Sequence, residues 1–188
     1  MAILKVIGFD PSLRHWGIAA GLFDTDTGKL TIKTVRVIQT SEPKGKQVRQ
    51  NSADLATAKQ LMEGVAPFLA EANLIFVEVP VGSQSARAMA SYGVCVGVLG
   101  AIRANGTPFF EVTPTEVKKA TVGSKTATKD EMISWAMKTH PEAPWPMKVV
   151  KGISTVVAGS AEHMADAAAA IHAGLASNEY KQLAAMTR

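Results

Sequence analysis

The sequence predicts an α/β fold: a five-stranded mixed sheet, with three antiparallel N-terminal strands and two further parallel strands, flanked by helices. Three observations carry that prediction. Apolar runs at residues 2–10, 16–23 and 30–39 are joined by short links, the second of them the turn-rich DTDTG, the pattern of an antiparallel meander. Residues 74–112 then read as strand, helix, strand, the unit that sets two strands parallel. Two helix-start signatures and an alanine-rich segment supply further helices. With 188 residues the chain has the length of one domain. A chain of that size buries roughly 70% of its unfolded surface, so its core needs no disulfide or structural metal. Residues 1–178 are read as that domain and 179–188 as a C-terminal tail.

Ala2 to Asp10 (AILKVIGFD) is nearly all apolar before it ends in an acid, as expected of a central strand covered on both faces. Trp16 to Phe23 and Leu30 to Gln39 complete the meander. Lys44 to Asn51 is polar and reads as a loop, after which Leu55, Ala58, Met62, Val65 and Leu69 recur at helical spacing. Pro67 should kink or shorten that helix near its end. Leu74 to Val79 (LIFVEV) is a buried-strand run holding one charge, Glu78. The Ala/Gly/Val segment from Ser83 to Ala104 reads as a helix, and Thr107 to Val112 as a strand. Thr113 with Glu116, and Thr128 with Glu131, are capping boxes that start two short helices, the first with Pro114 at its first position. Pro141, Pro144 and Pro146 mark a loop running to about Gly159, and Ala161 to Ala176 closes the chain as an alanine-rich helix.

Composition narrows the setting. The apolar run around Val94 to Ile102 falls far short of the ~20 residues a membrane span needs, so no membrane association is expected. A single Cys95 cannot form an internal disulfide, and no charged start followed by an apolar signal segment is read, which together predict a reducing, cytoplasmic compartment. Lys and Arg number 20 against 16 Asp and Glu, a formal charge of +4, in keeping with a polyanionic partner. The cations gather at Lys44, Lys46 and Arg49 and again at Lys118, Lys119, Lys125 and Lys129, although solvated loops have the same look.

An acid near the end of a buried strand is costly unless paired or metal-bound, which singles out Asp10 and Glu78. His163 and Asp166 stand at i and i+3 on the last helix and share a face, so both reach one cation if that helix crosses the strand ends. The alanines around them permit a close approach. Hard oxygen ligands with one imidazole suit Mg²⁺ or Mn²⁺, and a pair of ions stabilises the attacking and leaving oxygens of a phosphodiester. Singly, Asp10 reads as a turn residue before Pro11, Glu78 as an edge-strand charge, and His163 with Asp166 as a solvated helix face. Their conjunction is what points to chemistry.

Four motifs occur in order: GFDPSLRHWGIA at 8–19, FVEVPVGSQSARAMASYGVCVGVL at 76–99, VTPTEVKKATVGSKTATKDEM at 112–132 and EHMADAAAAI at 162–171. Together they resemble the RuvC-like Holliday junction resolvases of the RNase H-like nuclease superfamily, the looser pattern being closer to phage-borne members. The resemblance implies an RNase H-like fold in which Asp10, Glu78, His163 and Asp166 are the catalytic metal site, holding Mg²⁺ or Mn²⁺, two ions per site. It implies that Lys118 and Lys129 match the family's lysine pair, with Lys119 and Lys125 as flanking phosphate contacts. Arg14, Ser83 and Arg87 in the first two motifs, and Lys44 and Lys46 in the basic loop, join them as implied DNA-binding residues. The implied reaction is hydrolysis of branched DNA by paired nicks that leave 5′-phosphate and 3′-hydroxyl ends, in recombination and repair, in a prokaryotic or phage-infected cell. One departure stands out: family members carry a junction-wedging aromatic three positions after the second acid, where this chain has Val81. Trp16, Tyr92, Trp135 and Trp145 are candidate stacking groups or, as is common in a small domain, core.

On the 83–104 helix, Ala86, Ala90, Gly93, Gly97 and Gly100 form a strip without bulk, beside a bulkier face of Tyr92, Cys95, Leu99 and Ile102. Either the bulky side packs on the sheet and the smooth strip meets a symmetry mate, or the strip lies on the chain's own sheet. The resemblance implies the former, a homodimer through this helix. Two other readings stay open. An ATP-binding protein of the actin and sugar-kinase type also begins with an acid, a small-residue turn and a hairpin, but needs two lobes and a second phosphate loop. A branched-DNA-binding module without catalysis would keep the fold and lose the acids.

Overall fold

A computed structural model describes residues 2–43, 45 and 48–186. The elements run β1 (Ile3–Asp10), β2 (His15–Asp24), β3 (Leu30–Gln39), α1 (Gln50–Leu69), β4 (Leu74–Glu78), α2 (Ala86–Ala104), β5 (Phe110–Val112), α3 (Pro114–Thr121), α4 (Lys129–Thr139), β6 (Met147–Val150), β7 (Ile153–Val156), α5 (Ala158–Ala176) and α6 (Asn178–Met186). The main sheet has the order β3-β2-β1-β4-β5. β1, β2 and β3 pair antiparallel, while β1, β4 and β5 pair parallel, as the meander and the strand–helix–strand unit predict.

Strand alternation divides the side chains between two cores. Ile7 and Phe9 of β1, Trp16 and Ile18 of β2, and Ile75 and Val77 of β4 join Leu61, Val65, Cys95, Leu99 and Ile102 on the α1–α2 face. Val6, Ala19 and Phe76 take the opposite parity and pack with Ala161, Ala165, Ala168 and Ile171 of α5. Asp10 continues the parity of Val6 and Gly8, and Glu78 that of Phe76. Both acids therefore project from the ends of neighbouring parallel strands towards α5.

Helix α5 is buried nearly all round, because α3, α4 and the segment between them cover its outer side through Val117, Met132 and Ala127. It lies so close to the sheet that three glycines are required. A Cβ on Gly8 would collide with the Ala167 carbonyl, one on Gly17 with the His163 carbonyl, and one on Gly174 with the Phe76 ring. The far half of α5 is tied by a buried network. His140 Nε2 and His172 Nε2 are 2.8 Å apart, the His140 carbonyl accepts from Trp145 Nε1–H at 2.8 Å, and Glu142 accepts from the Ile32 N–H at 3.1 Å. Trp16 and Trp145 are core, not surface stacking groups.

The structure departs from expectation in several places. Residues 147–156, read as loop, form the β6–β7 hairpin. The three prolines before it dominate the local sequence, and its turn, Lys151–Gly152, lacks the Asn-Gly or Asp-Gly signature. Helix α1 begins at Gln50, inside the expected loop, although it ends at Leu69, just after Pro67, as read. Ser85 caps α2, so the helix starts at Ala86 rather than Ser83. β5 is confined to Phe110–Val112. The segment read as a tail is helical over Asn178–Met186, and Tyr180 sets edge-to-face contacts on Phe23, Phe76 and Phe110. Lys44 and Lys46 lie outside the described residues.

Two predictions follow from this packing. Gly8→Ala forces α5 off the sheet and is expected to lower stability by about 1–3 kcal/mol in urea denaturation; an unchanged midpoint would contradict the tight approach. Burial pushes His172 down to about 4 and lowers His140 as well. The folded rings stay neutral where unfolded imidazoles, near 6.5, bind protons, so their contribution is full above about 6.5 and is lost as pH falls towards 4. The His172 contribution should therefore shrink by up to about 1.4 kcal/mol per pH unit across that window, so wild type should lose stability relative to His172→Gln as pH falls.

Candidate active site

The residues singled out as chemical, Asp10, Glu78, His163 and Asp166, line one cleft of about 270 Å³ together with Ser12, Pro80, Tyr92, Pro114 and Glu162. β1 and β4 supply the first two from their C-terminal ends, and α5 supplies the others from one face three residues apart. His163 Nδ1 donates to Asp10 Oδ2 at 2.7 Å. That bond fixes the ring and leaves Nε2 as the nitrogen free for a ligand. It also raises the imidazole above its ordinary value, against the pull of burial.

Burial pushes Glu78 up to about 9, with the charges of Asp10 and Asp166 adding to the shift. Asp166 is pushed to about 7, again first by burial and then by Asp10 and Glu162. Lys118, half-buried on α3, opposes both shifts and so sits within electrostatic reach of the two acids. Lys129, the first residue of α4, pairs with Glu162 at 2.5 Å, which raises the ammonium's pKa. The expected lysine pair is thus divided: Lys118 faces the acids, and Lys129 is held at the rim by an acid of its own.

The remaining expected contacts are scattered around this cleft. Arg14 pairs with Glu42, and Arg87 makes two hydrogen bonds of 2.9 Å to the buried Asp54. A second hollow lined by Arg14, Glu42, Gln50, Arg87 and Ser91 shares Ser12 and Tyr92 with the cleft and continues it. The Ser83 hydroxyl accepts from the Ser85 N–H at 3.1 Å in the loop before α2. Lys119 and Lys125 are exposed on α3 and in the turn after it. Val81, at the position of the missing aromatic, is 75% exposed at the cleft edge.

Two residues of the site were not anticipated. His15 stacks its ring on His163, with centroids 5.5 Å apart and planes within 10°. Its parity on β2, shared with Gly17 and Ala19, was the available signal. Glu162 precedes His163 directly in the fourth motif, yet its pairing with Lys129 depends on the placement of α4 and was not visible in spacing.

Among the described residues, no group of three or more His, Cys, Asp or Glu side chains is gathered tightly enough to hold a metal ion. The donor chemistry nevertheless fits a hard cation, because Glu78 and Asp166 are buried beside like charge and a cation would stabilise their ionised forms. No described helix is long and apolar enough to cross a membrane.

A mixed five-stranded sheet of this order, flanked by helices, has the RNase H-like fold. Two solved structures share it. Thermus thermophilus RuvC in complex with a Holliday junction substrate aligns with a TM-score of 0.60 over 90% of this chain and 92% of that one, at 20% identity. A further Thermus thermophilus RuvC structure aligns with a TM-score of 0.61 over 96% of each chain, at 22% identity. No protein-family model matches the chain, and no curated protein matches it.

A raised carboxyl keeps, in the folded state, a proton that the unfolded chain has released, so Glu78 subtracts increasingly from stability as pH rises from about 4.5 towards 9. Replacing Glu78 by Gln removes that penalty. The metal-free variant is expected to melt at least about 3 °C above wild type at pH 8. Mg²⁺ should raise the wild-type midpoint and leave that of Glu78→Gln nearly unmoved. A lower midpoint for the variant, or equal Mg²⁺ shifts, would refute the cation reading.

Proposed function

We propose that the protein is a metal-dependent, structure-selective DNA endonuclease that resolves Holliday junctions or related branched DNA by paired nicks, leaving 5′-phosphate and 3′-hydroxyl ends. The observation that carries this reading is the convergence of Asp10, Glu78, His163 and Asp166 in one cleft of a fold shared across nine-tenths of the chain with RuvC bound to a Holliday junction.

Mg²⁺ or Mn²⁺, two ions in this reading, would be held by Asp10, Glu78, Asp166 and the free nitrogen of His163, and would offset charge that develops on the scissile phosphate. The protein's own groups do the positioning. Asp10 orients His163, and His15 buttresses the other side of that ring. Lys118 places a fixed positive charge beside the acids, which favours an incoming phosphate and the charge of its transition state. Lys119 and Lys125 extend the cationic surface along the DNA, each phosphate contact steepening the salt dependence of binding.

A four-way junction is two-fold symmetric, so paired nicks require two sites related by the same symmetry. The α2 strip supports a homodimer. Gly93, Gly97 and Gly100 face open space, and Met89 and Val96 beside them are 46% and 47% exposed. Cys95, Val98, Leu99 and Ile102 are buried under the sheet instead, which removes the alternative in which the smooth strip lies against its own chain. The single five-stranded main sheet gives no support to a two-lobed kinase-type ATPase. A cytoplasmic role in DNA recombination and repair follows from the proposed activity.

The test is nicking of a labelled four-way junction, beside a matched duplex and a flap, with Mg²⁺ and then Mn²⁺. Paired symmetric nicks are expected. In Asp10→Asn they should fall by at least ~10²-fold, since loss of a residue that merely supports a metal ligand already costs 10- to 100-fold. Tight junction binding without cleavage under either metal would instead favour a non-catalytic branched-DNA-binding module.

A further inference from the structure

The β6–β7 hairpin does not line the cleft, and it gathers several exposed apolar side chains on one short ribbon. It is a two-stranded sheet separate from the main one. Val149 is 74% exposed and Ile153 67%, with Met147 and Val150 also exposed. The register pairs Val149 with Ser154 and Val150 with Ile153. Successive residues alternate faces, so Val149 emerges on one side of the ribbon and Val150 with Ile153 on the other. A hairpin that docks flat on a protein surface is apolar on one face and polar on the other. This one is a blade, apolar on both sides near its tip.

The tip itself is cationic. Lys151 and Gly152 form the two-residue connection, with φ of 51° and 79°. Both residues of such a turn are left-handed, a conformation that a lysine Cβ resists, so local preference does not explain Lys151. Lys148 lies midway along β6, and residues 147–157 contain no acid.

The root of the blade is fixed beside the cleft. The Val157 N–H donates to the Pro146 carbonyl at 2.8 Å, closing the base of the hairpin. Helix α5 begins at the next residue and reaches His163 within about 9 Å of helix. Val156 and Ala158 border Ile133, Ser134 and Met137 of α4, the helix whose first residue pairs with Glu162. The blade thus springs from the junction of the two helices that carry His163 and Lys129.

We propose that the β6–β7 hairpin is a DNA wedge, inserting Val149, Val150 and Ile153 between base pairs at a branch point while Lys148 and Lys151 contact the flanking phosphates. The inference rests on the branched-DNA reading above. An opened base step offers apolar surface above and below the intruding side chain, with anionic backbones at its edges, which matches a blade apolar on both faces and basic at its end. A second copy of the chain would present no such phosphate charge to Lys148 and Lys151.

The test uses the full chain and a four-way junction carrying 2-aminopurine beside the branch, whose fluorescence rises when the base unstacks. Wild type should raise it on binding. Val149→Ser with Ile153→Ser, both exposed and so neutral to folding, should abolish the rise and slow junction nicking at least tenfold, while duplex affinity stays within twofold. Lys148→Gln with Lys151→Gln should reduce the salt slope of junction binding by about 2. A serine variant that unstacks and nicks like wild type overturns the wedge and leaves the nuclease reading intact. A serine variant that converts a dimer to a monomer also overturns it, by assigning the face to a second copy. A wild type that neither binds nor cuts junctions defeats both readings together.

Discussion

The approach of α5 to the sheet is the constraint on which the rest of the site depends. Asp, Glu and His have short reach, and the four chemical residues come from elements that a bulkier interface would hold apart. Gly8 and Gly17 remove the Cβ atoms that would meet the α5 backbone, and they sit two residues before Asp10 and two after His15. The tight approach of helix to sheet therefore reaches the edge of the cleft. At the other end Gly174 admits the Phe76 ring, and the His140–His172 bond pins the outer side. The helix is clamped along its length, so its two functional side chains have little freedom to drift.

That placement has an electrostatic cost. In the half-buried cleft Asp10 and Asp166 raise the cost of ionising Glu78, Asp10 and Glu162 raise that of Asp166, and Lys118 offsets both shifts in part. Folding alone has no reason to assemble them, and an apolar set would pack the same space without penalty. Acids retained against such a gradient are a mark of a site that is completed by something else. The arginines nearby behave in the opposite way. Arg87 and Arg14 already have acidic partners, and the Arg87–Asp54 bridge joins α2 to α1, so its first role is to hold the two helices of the second core together.

Much of this was readable from residue order because two periodicities converge. Period two along β1 and β4 sends Asp10 and Glu78 to the same side as Gly8 and Phe76, and the i, i+3 spacing of His163 and Asp166 turns both towards them. The capping boxes at Thr113 and Thr128 formed as read, since their hydrogen bonds close within four residues. What escaped was tertiary. The His15 stack needs β2 and α5 in place, the Glu162–Lys129 pair needs α4, and α6 is held by aromatic contacts to strands far away in sequence. The hairpin escaped for a local reason, because a Lys-Gly turn does not announce itself and three prolines precede it.

The two surfaces left over by the core are related to the cleft in different ways. Tyr92 lines the cleft, and Gly93 beside it begins the open strip of α2, so one helix carries both the wall of the site and the proposed dimer face. The hairpin stems instead from the start of α5, on the helix-covered face opposite the one on which α2 packs. The proposed cutting and opening elements are therefore separate parts of the fold, the cleft at the strand ends and the hairpin at the start of α5.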